Sequence, residues 1–165
     1  YKRQILSMKT TIFLGAMLSL LVCLMFTGCS NSETNSTSRG LTDFAHIEEE
    51  YLATIDSLNW PDGIALPDKL EDEDTGASFQ VGYGETRASY LWEYSWMKEW
   101  LDTYNTDPER AEKALEELEK AFDMPYMGID RCDDATRNYL RENIDKAKLG
   151  DPSGFTESIR ANYAN

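Results

Sequence analysis

The segment "ETRASYLWEYSWMKEWLDTY", Glu85 to Tyr104, constrains this chain more than any other. Leu91, Tyr94, Met97, Leu101 and Tyr104 form one stripe at helical spacing. Trp92, Trp96 and Trp100 form a second stripe at a spacing of four. The two together cover well over half of a helix's circumference. A helix that is apolar nearly all round belongs at the centre of its domain. Each buried aromatic removes about 150–250 Å² from water, much of what a small core needs. The alternation of Tyr90, Trp92, Tyr94 and Trp96 also suits a strand, but the length of the segment favours a helix. Glu93, Lys98 and Glu99 are left for a narrow wet edge. The rival placement turns a Trp row outward as a stacking platform.

The flanking segments read as further helices. From Leu41 to Leu58, Phe44, Ile47, Tyr51, Ile55 and Leu58 share one face, and Thr42 or Asp43 is placed to cap it. Asp107-Pro108 opens another helix, with an acidic cap and proline in the first turn. Its apolar face holds Ala111, Ala114, Leu115, Leu118, Ala121 and Phe122, and Pro125 ends it. Glu109–Lys113 and Glu116–Lys120 have the spacing of favourable helical ion pairs. A fourth helix starts at Asp133 or Asp134, with Tyr139, Leu140, Ile144 and Ala147, and Gly150 is placed to terminate it. Asp151-Pro152 opens a short last helix with Phe155, Ile159 and Tyr163. Between the first two helices, Asn59 to Gly84 is a long loop rich in Gly and Pro. In it "NWPDGIALP" is an ordered turn and "SFQVGYG" a short extended segment, giving at most a minor β patch near residues 77–83. The expectation is an all-α domain of about five helices around the Trp-rich one, over residues 41–165.

The first forty residues are of another kind. Ile12 to Phe26 is fifteen residues without a charge, preceded by Lys2, Arg3 and Lys9. A basic start, an apolar run of this length and small residues at its end describe a secretory signal. The run falls short of the roughly 20 residues that a spanning helix needs. It stops at "FTGC" and turns into "SNSETNSTSRG". Phe26-Thr27-Gly28-Cys29 resembles the lipobox of bacterial lipoproteins, although Leu is commoner where Phe26 stands. The resemblance implies that Cys29 receives a diacylglyceryl thioether, that cleavage follows Gly28 and that the mature chain begins at Cys29. Residues 1–28 are then signal, and 29–40 are the lipidated cysteine with a flexible polar leash. Met8-Lys9 suits a start, so Tyr1 to Ser7 is read as an upstream extension.

Composition bounds the partners. The chain has 16 basic and 30 acidic residues. Loss of Lys2, Arg3 and Lys9 with the signal leaves 13 against 30, a net charge of −17. Such acidity repels nucleic acid and anionic lipid headgroups. Of the three cysteines, Cys23 leaves with the signal and Cys29 is lipidated. Cys132 then stands alone and is expected to be a buried, inert thiol.

Four features bear on chemistry. The single histidine, His46, lies near no nucleophile motif, so neither a serine nor a cysteine triad is expected. His46 with Glu49 or Glu50 offers two metal-type ligands on one helix face, but nothing nominates a third. "EDEDTG", read as a calcium loop with Gly76 at its sixth position, places Gly82 where a bidentate acid is needed, and fails. "GYGETR" has the look of a phosphate cradle but lacks the glycine spacing, and Glu85 would repel the anion. No metal or cofactor is expected.

"WPDGIALP", "VGYGETRASYLWEYSWMKEWL" and "LGDPSG" together resemble uncharacterised exported proteins of Gram-positive bacteria, of the actinobacterial type. The resemblance covers most of residues 59–154 and implies location, not activity. The expectation is a non-enzymatic, lipid-anchored protein on the extracytoplasmic face of the cell membrane, partnered by an envelope protein. The alternative is a module that binds wall polysaccharide through Trp60, Trp92, Trp96 and Trp100.

Overall fold

The computed structural model describes residues 40–71 and 73–163. The segment expected to be a signal, with Gly28 and Cys29, and the expected leash to Arg39 lie outside the described residues. The domain is all-α, with a very small sheet. Strand β1 is Leu41–Thr42, followed by α1, Phe44–Ser57. The Asp43 carboxylate accepts the His46 N–H at 3.0 Å and so starts α1. Of the two expected caps it is Asp43 that acts, so the helix starts at Phe44 and not at Leu41. Leu41 and Thr42 pair antiparallel with β2, Phe79–Gln80, with Leu41 opposite Gln80. The extended segment expected near residue 79 thus finds its partner just ahead of α1.

The Trp-rich helix is α2, Tyr83–Thr103. It crosses α1 at very close range. A Cβ on Gly84 would lie 1.8 Å from the Ile47 carbonyl oxygen, so only glycine permits this crossing. Gly82, at φ 87°, makes the turn into the helix. The amides at the start of α2 lack intrahelical partners. Glu50 of α1 supplies them, accepting from Gly82 N–H at 2.7 Å and Gly84 N–H at 3.2 Å. The "GYGETR" turn is therefore a helix N-terminus already occupied by the protein's own carboxylate.

Helix α3, Pro108–Glu119, begins as its sequence requires, with the Asp107 carboxylate accepting the Arg110 N–H at 3.2 Å. Two 3₁₀ turns follow, Lys120–Asp123 and Pro125–Met127. The ion pairs expected along α3 do not form. Lys113 lies over the Trp96 ring, 5.8 Å from its centroid, and Lys120 reaches Glu117 at 2.6 Å. Helix α4, Asp134–Lys148, is capped by Asp133. Gly150, at φ 78°, ends it: its N–H bonds Ala147 O and the Asp151 N–H bonds Lys146 O. Helix α5, Ser153–Asn162, closes the domain.

The core lies on two flanks of α2. On one, Trp92, Trp96, Met97 and Trp100 meet Ala114 and Leu118 of α3, Leu140 and Ile144 of α4, and Phe155 of α5. On the other, Ala88 meets Ile47, Tyr51 and Ile55 of α1 and Leu70 of the loop. The hub expectation needs one adjustment. Helix α4 packs chiefly against α5 and α3, and of the last two helices it is α5 that lies more closely along α2.

Candidate functional site

Of the four tryptophans that the alternative reading offers as a ligand surface, the three on α2 are core, as the hub reading expects. Trp92 and Trp96 are 1 % exposed and Trp100 is 2 % exposed. The indole N–H groups of Trp92 and Trp96 converge on one acceptor, the Asn59 carbonyl, at 2.8 and 3.1 Å. Trp60 is half-buried, packs against both core clusters and donates its indole N–H to Ile55 O at 2.9 Å. These bonds pin the "NWP" turn to the first two helices. They also spend the polar edge that an indole offers a ligand. The rival Trp platform is thus excluded: the row faces inward, into a cluster to which α3, α4 and α5 contribute apolar side chains.

The "wet edge" of α2 is corrected as well. Glu93 is buried, at 8 % exposure. The Tyr126 hydroxyl donates to its carboxylate at 2.7 Å. Burial pushes the Glu93 carboxyl up to about 7, and this hydrogen bond pulls weakly the other way. The phenol of Tyr126 is held well above its ordinary value, by burial first and by the negative charge of Glu93 second. Tyr90 and Tyr163 are raised for the same two reasons. Tyr126 stands edge-on to Tyr90, centroids 5.6 Å apart, and the Tyr163 hydroxyl donates to Tyr90 O at 3.3 Å. The helical neighbours of Glu93 carried the signal for its burial. Ser89, Tyr90, Trp96 and Met97 stand at three and four residues from it, so it lies within the apolar surface rather than beside it.

Two of these tyrosines open onto a cleft. It encloses about 440 Å³, with Tyr51 of α1, Leu70 of the loop, Arg87 and Tyr90 of α2 and Tyr163 after α5 among its lining. Lys69 stands at its edge, paired with Glu71 at 2.9 Å. Arg87 is 3.4 Å from Glu73, which also accepts the Tyr83 hydroxyl at 2.7 Å. Tyr90 is 42 % exposed, so its ring is available to a ligand while its inner side touches the Glu93 cluster. Aromatic faces ringed by ion-paired donors and acceptors suit a ligand with one apolar face and several hydroxyl or amide groups.

The remaining sequence candidates are accounted for by local bonding. His46 is exposed, and its Nε2 lies 3.3 Å from Glu50. Glu50 itself is turned to the start of α2. In the acidic run, Glu71 and Glu73 hold Lys69 and Arg87, and the Asp74 carboxylate accepts the Gly76 N–H at 2.9 Å. Among the described residues, no group of three or more His, Cys, Asp or Glu is placed to hold a metal. Cys132 is half-buried rather than buried, with its Sγ 3.5 Å from Met127 Sδ. Burial raises its thiol pKa, partly offset by Arg137. Among the described residues, no helix is long and apolar enough to cross a membrane. No protein-family model matches the chain, and neither a curated protein nor a solved structure is significantly similar to it.

Proposed function

We propose that this chain is a lipoprotein, held by acyl groups on Cys29 at the extracytoplasmic face of a cell membrane. Its helical domain acts as a non-enzymatic interaction module. The anchor rests on the basic start, the apolar run and the lipobox-like Phe26-Thr27-Gly28-Cys29. Two acyl chains hold a protein in a bilayer where one does so marginally. The polar leash and the acidity of the mature chain keep the domain off anionic headgroups.

The observation that supports a binding role is the cleft of Tyr51, Tyr90 and Tyr163. Its charged side chains are neutralised in pairs, an arrangement for holding a ligand by shape and hydrogen bonding. An envelope protein is the first partner class. Wall polysaccharide is the second reading, favoured by the exposed Tyr90 ring and by Arg87 and Asn162 nearby. In that reading the tyrosines take the part first given to the tryptophans.

Fractionation tests the anchor. Cys29→Ser is expected to leave the membrane pellet, and a variant that is processed and pelleted like the parent refutes it. Crosslinking in whole cells tests the cleft, with Tyr90→Ala expected to lose the partner that the parent captures. Cosedimentation of the parent, but not of Tyr90→Ala, with insoluble wall polysaccharide selects the second reading.

A further inference from the structure

We propose that the groove between α3 and the turn after α4 docks a short cationic segment of a partner protein that carries a bulky apolar anchor. This site is separate from the tyrosine cleft and does not depend on the lipid anchor. The groove encloses about 440 Å³. Its floor is apolar, with Trp100, Tyr104, Leu115 and Ala147 among its lining. Trp100 and Tyr104 stack there, centroids 4.7 Å apart and planes within 19°. Leu149 lies between the lining residues Lys148 and Gly150 in sequence and is 87 % exposed.

The rim is acidic, and the sequence of α3 makes it so. Glu112, Glu116 and Glu119 follow at spacings of four and three, share one helix face and line the groove. The cations of α3 and its following turn are committed elsewhere. Arg110 holds the Glu99 carboxylate with two bonds, at 2.7 and 2.9 Å. Lys113 lies over Trp96 and Lys120 pairs with Glu117. Lys148, the cation in the groove lining, bonds Glu119. Among the described residues, no cationic nitrogen lies within 4.0 Å of the carboxylates of Glu112 and Glu116. Two uncompensated charges beside an apolar floor exclude an acidic occupant and select Lys or Arg flanking an apolar side chain. A second copy of this chain is disfavoured, because the chain carries a net charge of −14.

The test uses the whole protein from its own cells, in phosphatidylcholine nanodiscs if it is membrane-bound and in buffer if it is not. It is titrated calorimetrically with the end-capped peptide KLKKFK, with empty discs as blank. Saturable binding is expected, weakened about tenfold in E112K/E116K, since exposed charge pairs are each worth a fraction of a kcal/mol. E142K/E157K makes the same change in net charge at exposed positions away from the groove, and is expected to bind nearly as the parent does. Circular dichroism verifies that each variant is folded. A benzophenone form of the peptide is expected to crosslink within residues 104–119 or 147–150. Absence of saturable binding to the parent overturns the proposal. So do equal losses in the two double variants, crosslinks confined to other segments, or a self-association of the parent that E112K/E116K abolishes.

Discussion

Glu93→Gln is expected to remove a pH dependence of stability that the parent carries. The Glu93 carboxyl sits at 8 % exposure with Tyr126 as its hydrogen-bond donor. Its pKa rises from the ordinary 4.5 to about 7, chiefly through burial. The folded protein thus keeps the proton up to about pH 7, whereas the unfolded chain releases it near 4.5. Between those values the folded state binds more protons, so the unfolding free energy falls as pH rises. The gap is worth roughly 3 kcal/mol at about 1.36 kcal/mol per pH unit. That is a large share of the 5–15 kcal/mol typical of a domain. Glutamine cannot ionise and keeps an oxygen for the Tyr126 hydroxyl. The rise to about 7 already includes the pull of the Tyr126 bond on the ionised carboxylate. At pH 8 the variant is therefore expected to be more stable than the parent by roughly 3 kcal/mol. At pH 5 most of that advantage disappears. Urea unfolding at four pH values, followed by the emission of the buried tryptophans, measures this, with equal m-values required. Parallel pH profiles for parent and Glu93→Gln refute the reasoning.

The same cluster makes Tyr126→Phe informative. It deletes the bond that favours ionised Glu93, so the loss of about 1–3 kcal/mol should be greater at pH 8 than at pH 5; equal losses at both contradict it. Gly84→Ala pushes a methyl group onto the Ile47 carbonyl. It is expected to cost about 3 kcal/mol, because the obstacle is backbone and no rotamer avoids it, and an unchanged melting temperature would argue against the close crossing. Glu50→Ala strips two N–H groups at the start of α2 of their acceptor. A loss of about 1–2 kcal/mol is expected in chemical denaturation, in line with a helix cap. Cys132, half-buried with a raised thiol pKa, is expected to label much more slowly in the native protein than in denaturant. Rapid native labelling, or a reducible dimer, would contradict that.

Helix identity was legible because it is written in local chemistry. Asp107-Pro108, Asp133 and Gly150 act where their side chains or backbone freedom place them, and the apolar spacing of α1, α3 and α4 selects the buried faces. The three tryptophans of α2 were also readable as a core row, since a helix apolar nearly all round has no wet face to offer them. What failed was the outermost reach of the pattern. The helix expected from Leu41 starts only at Phe44, because Asp43, one of the two expected caps, closes it there and β2 takes Leu41 and Thr42 as a partner. The charge of Glu93 points to water, but the aromatic residues one turn away on both sides enclose it. The tyrosine cleft gave no signal at all. Tyr51, Tyr90 and Tyr163 belong to three segments that only the tertiary fold brings together.

The acidic composition hides a division of labour among the glutamates. Read as a total, the charge speaks of solubility and of repulsion from anionic surfaces. Read in the structure, several glutamates are joints between elements. Glu50 ties α1 to the start of α2, and Glu48 accepts the Leu70 N–H at 3.3 Å to hold the loop on α1. Glu99 ties α2 to α3 through Arg110, and Glu85 ties α2 to the turn before α4 through Arg131 at 2.7 Å. Glu119 ties α3 to α4 through Lys148. These partners stand 11 to 46 residues apart, beyond any window in which helical spacing is read. The favourable i,i+4 pairs that the sequence did offer on α3 lose their lysines to an indole ring and to Glu117. Cations are scarce in this chain, and those of α3 go to contacts with tertiary leverage. Glu112 and Glu116 are among the acids that allocation leaves over, and they line the groove.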